Sequence, residues 1–423
     1  MKQTLMKLKP LVLALCVATI PIPAYSANNL DGLRNMVETL QKQLEQVQKQ
    51  LDEQEKSSVT REDLARVEKK AASASEWKEP NTLIHMAGYA DVGYTNVERG
   101  GDDGSFGVGT FAPIFHFQYR DLVMLEAELD ISLQDDGSTE LEMEYLTIDY
   151  FMNDYITLVA GKFLSPIGQF RQNLHPSWIN KMASPPPGFG HDGAAPTSET
   201  GLQFRGGFPL GGMRTNFAVY AGNGPEFNSE TGDQIGFELE GVRAEGFGSN
   251  GDGEMVYGGR FGLLPMAGLE FGVSAATGKG TVTELEDGSG LPGLTLSEDK
   301  RDYRVYGADF NYSLRSLGIR GEYVNTRVGS DNSGGLTASG SATWKSWYTQ
   351  AAYRFLPTKW ESAVRYTDFD SPIDSNDQEQ WAFAVNYLFT NNFMAKFTYE
   401  MNDNDLGSAA DDNRFLSQLA YGF

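Results

Sequence analysis

Six carboxylates give this chain its most distinctive chemistry. In the stretch LVMLEAELDISL, Glu126, Glu128 and Asp130 alternate with Leu125, Ala127, Leu129 and Ile131, and a few residues on Glu140, Glu142 and Glu144 alternate in the same way. Side chains two apart share a face of a β-strand, so both runs predict polar walls, which face each other across a short connection. Carboxylates at that density attract cations. Seven basic residues are spread along the rest of the chain: Lys162, Arg171, Arg205, Arg260, Arg320, Arg365 and Lys396. If they line the same interior, acidic and basic walls set a transverse field that favours polar, oriented solutes. A merely solvated inner face would carry the same residue types.

Residues suited to catalysis are sparse. His85, His116, His175 and His191 are scattered, and no Gly-x-Ser-x-Gly or Ser-His-Asp spacing occurs. The segment NDNDLGSAADDN is acidic, but Gly407 is misplaced and the closing Glu of a calcium loop is missing. No catalytic residue, metal site or cofactor is expected. The formal charge is −23, and −26 once the three lysines of the first nine residues are set aside, which argues against nucleic acid as a partner.

The elements that must position these residues begin after residues 1–26. There MKQTLMKLK, the apolar PLVLALCVATI and the small residues Ala24 and Ser26 make up a secretory signal peptide with a cut before Ala27. Its apolar run is too short to anchor the chain in a bilayer. The single cysteine, Cys16, lies within it after Leu15, which does not suit a lipoprotein signal, so the mature chain has no disulfide. Residues 27–78 are expected to form a periplasmic coiled coil and linker. Leu30, Leu33, Val37, Leu40, Leu44, Val47 and Leu51 recur at 3-4 spacing, the seam of an oligomerising helix. A helix folded onto its own domain would show the same stripe.

From residue 79 to 423 the period changes to 2. Trp381, Phe383, Val385, Tyr387 and Phe389 alternate with smaller or polar residues, as do Phe393, Ala395, Phe397, Tyr399 and Met401. The last residues, RFLSQLAYGF, place Phe415, Leu419, Tyr421 and Phe423 at alternate positions up to the terminus. Apolar side chains that alternate with charged ones suit a barrel with lipid outside and water inside. Short links at 209–212, 264–268, 356–359 and 390–392 alternate with long acidic, Gly-rich segments near 226–253, 279–300, 328–343, 370–378 and 403–413. The pattern predicts a 16-stranded antiparallel transmembrane β-barrel, all-β apart from its N-terminal α-helical coiled coil, with RFLSQLAYGF as the closing strand. Residues 164–199, rich in proline and poor in acids, fall between the fifth and sixth strands. Sixteen-stranded porins fold the loop at this place into the lumen, and by that resemblance a constriction is expected here. The alternative is a rigid surface loop packed on its own Trp178 and Phe189.

A coiled coil followed by a barrel that contains VAGKFLSPIGQF (159–170), HPSWINK and VYAGNGPEF (219–227) resembles the phosphate-selective porin O/P-like family, including its dicarboxylate-type members with an N-terminal coiled coil. The resemblance implies a homotrimer of 16-stranded porins in the outer membrane of a Gram-negative bacterium, one pore per subunit, a lumenal third loop and no cofactor. Phosphate-selective members line the pore with an arginine ladder and a lysine cluster, whereas this chain has single scattered basics and six carboxylates. Passive diffusion of small hydrophilic solutes or ions is the expected activity, with self-association, outer-membrane lipid and lipopolysaccharide as partners. An envelope structural protein that uses the coiled coil as a periplasmic tether is the alternative.

Overall fold

In the computed structural model, the described residues are 38, 41, 42 and 45, and then 81–98, 104–134, 137–190, 193–231, 237–243, 250, 253–285, 300–330, 340–404 and 411–423. The contact pattern divides the chain into Met1–Trp77 and Lys78–Phe423. Of the first unit, Glu38, Gln41, Lys42 and Glu45 are helical and exposed, with Lys42 Nζ 3.4 Å from Glu38 Oε1. Leu30, Leu33, Val37, Leu40, Leu44, Val47 and Leu51 lie outside the described residues, as do the signal peptide and the linker.

The second unit is a closed antiparallel barrel of 16 strands. They are β1 (Thr82–Val97), β2 (Ser105–Tyr119), β3 (Val123–Leu133), β4 (Thr139–Asn153), β5 (Ile156–Leu164), β6 (Ser198–Gly206, resumed at Pro209–Leu210), β7 (Met213–Gly222) and β8 (Val256–Met266). The circuit continues with β9 (Leu269–Gly280), β10 (Arg301–Leu314), β11 (Leu317–Val328), β12 (Ala342–Arg354), β13 (Trp360–Asp370), β14 (Gln378–Leu388), β15 (Phe393–Asp403) and β16 (Arg414–Gly422). Each strand pairs with its sequence neighbours, and β1 closes on β16 in the register Tyr89 to Gly422 through Val97 to Arg414. RFLSQLAYGF is therefore the closing strand. Phe423 fastens it, because its amide donates to the Gly88 carbonyl at 2.9 Å and its carbonyl accepts from the Gly88 amide at 3.0 Å.

Short turns and long loops alternate around the barrel, as the sequence predicts. One link differs: Leu264, Pro265 and Met266 belong to β8, whose pairing with β9 is irregular between Leu263 and Met266, where proline lacks an amide to donate. The sequence pattern also missed a three-stranded sheet at Glu226–Thr231, Phe237–Arg243 and Val282–Leu285, contributed by the loops after β7 and β9.

The outside of the barrel is apolar and ringed by aromatics at two heights. Near the short turns, Trp360, Tyr387, Phe389, Phe393, Tyr421, Phe423 and Phe111 form an unbroken series of ring contacts with centroids 4.7 to 6.1 Å apart. Nearer the long loops, Trp347, Tyr366, Trp381 and Phe383 form a second series. Val273, Ile148, Val385 and Phe397 lie exposed on the outer surface. Two amphipathic girdles that flank an apolar band are what a bilayer's two interfaces select.

Candidate functional site: a loop held inside an asymmetric lumen

Residues 165–190 and 193–197 lie inside the barrel. A non-helical segment at membrane depth must find partners for its backbone, and the inner wall supplies them. Gln169 and Phe170 amides donate to Glu322 Oε2 at 3.2 and 3.0 Å, and the Gly168 amide donates to Ser274 Oγ. Lys396 donates to the carbonyls of Ser177 and Met182, Arg365 to those of Ser184 and Pro185, and Asn386 to that of Lys181. Ser346 and Thr326 bind the carbonyls of Pro187 and Ala194. The anchors thus run from β9 to β15 along one arc of wall.

Packing follows the same arc. Phe170, Phe189 and Tyr348 meet edge to face. Met182 is buried against Ala352, Ala363, Ala382 and Ala384, whose small side chains leave room for the loop. Trp178 lies on Leu388, Met394 and Ala420, and its indole fills the space where a Cβ on Gly422 would sit, 2.7 Å from the ring. At the loop's start Gly168 has φ +73°, and a Cβ there would fall 1.6 Å from Glu322 Oε1.

With the loop on that arc, its other face looks across at β1–β4. The cavity between them, about 250 Å³, is lined by Tyr89, Asp91, Asp130, Glu144, Arg171, His175 and Gln418 among others. All six carboxylates face inward, but they do not oppose one another as two matched rows. Asp130 is the register partner of Glu142, Ser132 that of Glu140, Glu128 that of Tyr145 and Glu126 that of Thr147. The register slips between Glu128 and Leu129, so β4 bulges at Glu144 and turns both Glu144 and Tyr145 inward. Glu128 is buried beneath the loop, with its Oε1 3.6 Å from His175 Nε2, and Arg171 Nη1 is 3.9 Å from Glu144. Nearer the short turns, a second cavity of about 250 Å³ takes in Glu126, Glu128, Tyr145, Gln203 and Arg205.

The basic residues are less uniform than the sequence predicts. Arg365 and Lys396 are fully buried and bound to loop carbonyls, so they fix the loop rather than face water. Arg205 is hydrogen-bonded to Asp149. Arg260 binds Asp309 at 2.6 and 2.8 Å and Glu270 at 3.0 Å. Lys162 is on the other side of the wall: it pairs in register with Leu146 and Thr200, and shares the outward face of Leu146, Ile148 and Tyr150. Its Nζ reaches back to the Met143 carbonyl at 2.8 Å, as a lysine does when its charge must avoid an apolar surface. Arg320 is inward, in register with Asn311 and Gln350. Most of the positive charge of the inner wall is thus paired or spent on the loop.

Residues 270–423 match the family model described as phosphate-selective porin O and P, and the chain resembles that family. No curated protein matches the sequence. Among solved structures, the outer membrane channel DcaP of Acinetobacter baumannii is similar, with 12% identity over 82% of this chain and 99% of that one and a TM-score of 0.51. OmpT of Vibrio cholerae, an outer membrane protein solved in a trimer form, is similar with 13% identity over 81% of this chain and 100% of that one and a TM-score of 0.50. At such identity the likeness is one of fold alone, a closed 16-stranded antiparallel β-barrel.

Proposed function

We propose that this chain is an outer-membrane porin through which small hydrophilic solutes and ions diffuse passively, with a preference for cations. The observation that carries this reading is the asymmetry of the lumen. The loop at 165–197 narrows the barrel and consumes Arg365 and Lys396 as anchors, while Asp91, Glu126, Asp130, Glu140 and Glu142 remain on the wall that faces the gap. Charged rings of one sign select ions of the other. The apolar outer band with its two aromatic girdles supports a bilayer setting, and the family match supports the outer membrane. A homotrimer agrees with the trimeric form of the Vibrio protein and with the heptad seam of residues 30–51, which would add a periplasmic stalk.

The test is the reversal potential of the purified protein in a planar bilayer under a potassium chloride gradient. A cation-selective potential is the expected result. An anion-selective one would return control to the basic residues and to anionic substrates, and the absence of any channel would overturn the reading altogether.

A further inference from the structure

Two histidines far apart in sequence meet on the inner wall. His85 on β1 and His116 on β2 are direct register partners, and their Nδ1 atoms lie 3.3 Å apart. The other nitrogen of His116, Nε2, is 3.1 Å from Glu126 Oε1, and that oxygen also lies 3.4 Å from the Tyr145 hydroxyl. We propose that His85 and His116 form a bidentate imidazole site for a divalent late transition metal ion of the zinc, nickel or copper type. In this site Glu126 acts as the carboxylate that orients His116, and water fills the remaining coordination positions.

Three features carry this. The first is spacing. With metal–nitrogen bonds of about 2.05 Å, donors 3.3 Å apart subtend an angle of about 107° at the metal, close to tetrahedral. The second is tautomer. When His116 Nε2–H donates to Glu126, its Nδ1 carries a lone pair turned toward His85, the carboxylate–histidine–metal arrangement that raises ligand basicity and fixes the ring. The third is access. His85 is exposed, on the part of β1 that precedes its paired register with β16. Two nitrogen donors without a direct carboxylate ligand favour zinc, nickel or copper over calcium or magnesium. The site stands independently of ion selectivity in the lumen.

Calorimetric titration of the untagged, detergent-purified protein with zinc chloride, in excess calcium chloride to occupy oxygen-donor sites, tests it. One zinc per chain is expected, weakened at least about tenfold in His85→Gln and in His116→Asn, and about tenfold in Glu126→Gln. A second readout is the electron paramagnetic resonance spectrum of the copper-loaded protein, which should show splitting from two nitrogens, reduced to one in His85→Gln. That variant leaves the His116–Glu126 contact in place, and heat-modified gel mobility confirms its fold. Zinc uptake that is absent, or equal in wild type and both histidine variants, would overturn the site and leave the contact a plain N–H to N hydrogen bond.

Discussion

Arg365 on the barrel wall and Ser184 in the inward loop are separated by 181 positions in sequence and joined at 3.0 Å, guanidinium to carbonyl. The same guanidinium reaches the Pro185 carbonyl at 3.1 Å and Gln380 Oε1 at 2.7 Å. A buried charge in this position needs acceptors, and an irregular loop in the lumen needs donors, so each resolves the other's desolvation. The loop's place in the pore is therefore a property of the wall as much as of the loop.

Replacement of Arg365 by Met should free the middle of the loop without unfolding the barrel, because Glu400 keeps Arg414 at 2.7 Å. Loss of charge-assisted hydrogen bonds worth about 3 kcal/mol corresponds to roughly hundredfold faster amide exchange across residues 177–187. Hydrogen–deuterium exchange by mass spectrometry checks this, and unchanged exchange there would remove Arg365 from the role of anchor.

Selectivity should follow the carboxylates that face water, not every charge in the lumen. Combined change of Asp91 to Asn and of Glu126, Glu140 and Glu142 to Gln, all at least partly exposed in the lumen, is expected to reduce the cation preference strongly. Asp309→Asn should change it little, because Asp309 is nearly buried and paired with Arg260. Reversal potentials of the two variants decide the matter: equal effects would mean that net lumen charge, rather than its position, governs selectivity.

Gly168 offers a sharper structural test. Its φ of +73° is unfavourable for any residue with a Cβ, and the added carbon would collide with the Glu322 carboxylate that accepts the next two amides. Gly168→Ala should cost about 1–3 kcal/mol and loosen the start of the loop, whereas Gly107→Ala, with open space around it, should be nearly silent. Thermal shifts of the two variants on gels supply the comparison, and a silent Gly168→Ala would show that the start of the loop adapts freely.

Much of this arrangement is legible in the sequence, and the exceptions have physical causes. Period-2 alternation and the rhythm of short and long links depend only on neighbours along the chain, so the strands, the closing RFLSQLAYGF and the long link after the fifth strand emerge directly. The inward course of that link, by contrast, is expected only by resemblance to sixteen-stranded porins. Residue direction depends on parity within each strand, and one irregularity reverses it. The bulge at Glu144 adds Tyr145 to the inner wall, and the register of β5 turns Lys162 outward. The roles of Arg365 and Lys396 depend on contacts across 180 to 219 positions, which no local pattern encodes. His85 and His116 looked scattered for the same reason; folding β1 against β2 into a hairpin and counting its register would have brought them together.

Asp377 gives a pH test outside the membrane. It sits in the loop between β13 and β14 and accepts from the Ser371 amide at 2.6 Å. Burial, then repulsion from Asp370, Asp374 and Asp368, raises its proton affinity above the ordinary carboxylate value against the lowering effect of that one hydrogen bond. A carboxyl whose folded pKa is raised is destabilising when charged, so the loop should tighten as pH falls through the raised pKa, the gain being complete below the unfolded value. Asp377→Asn keeps an oxygen for the Ser371 amide and discards the charge, and it should protect residues 371–377 at pH near 7 as well as mild acid protects the wild type. Exchange rates of that peptide at neutral and mildly acidic pH, corrected for intrinsic rates, measure both effects. Faster exchange in Asp377→Asn would mean that the negative charge holds the loop, and the sign argued from burial would be wrong.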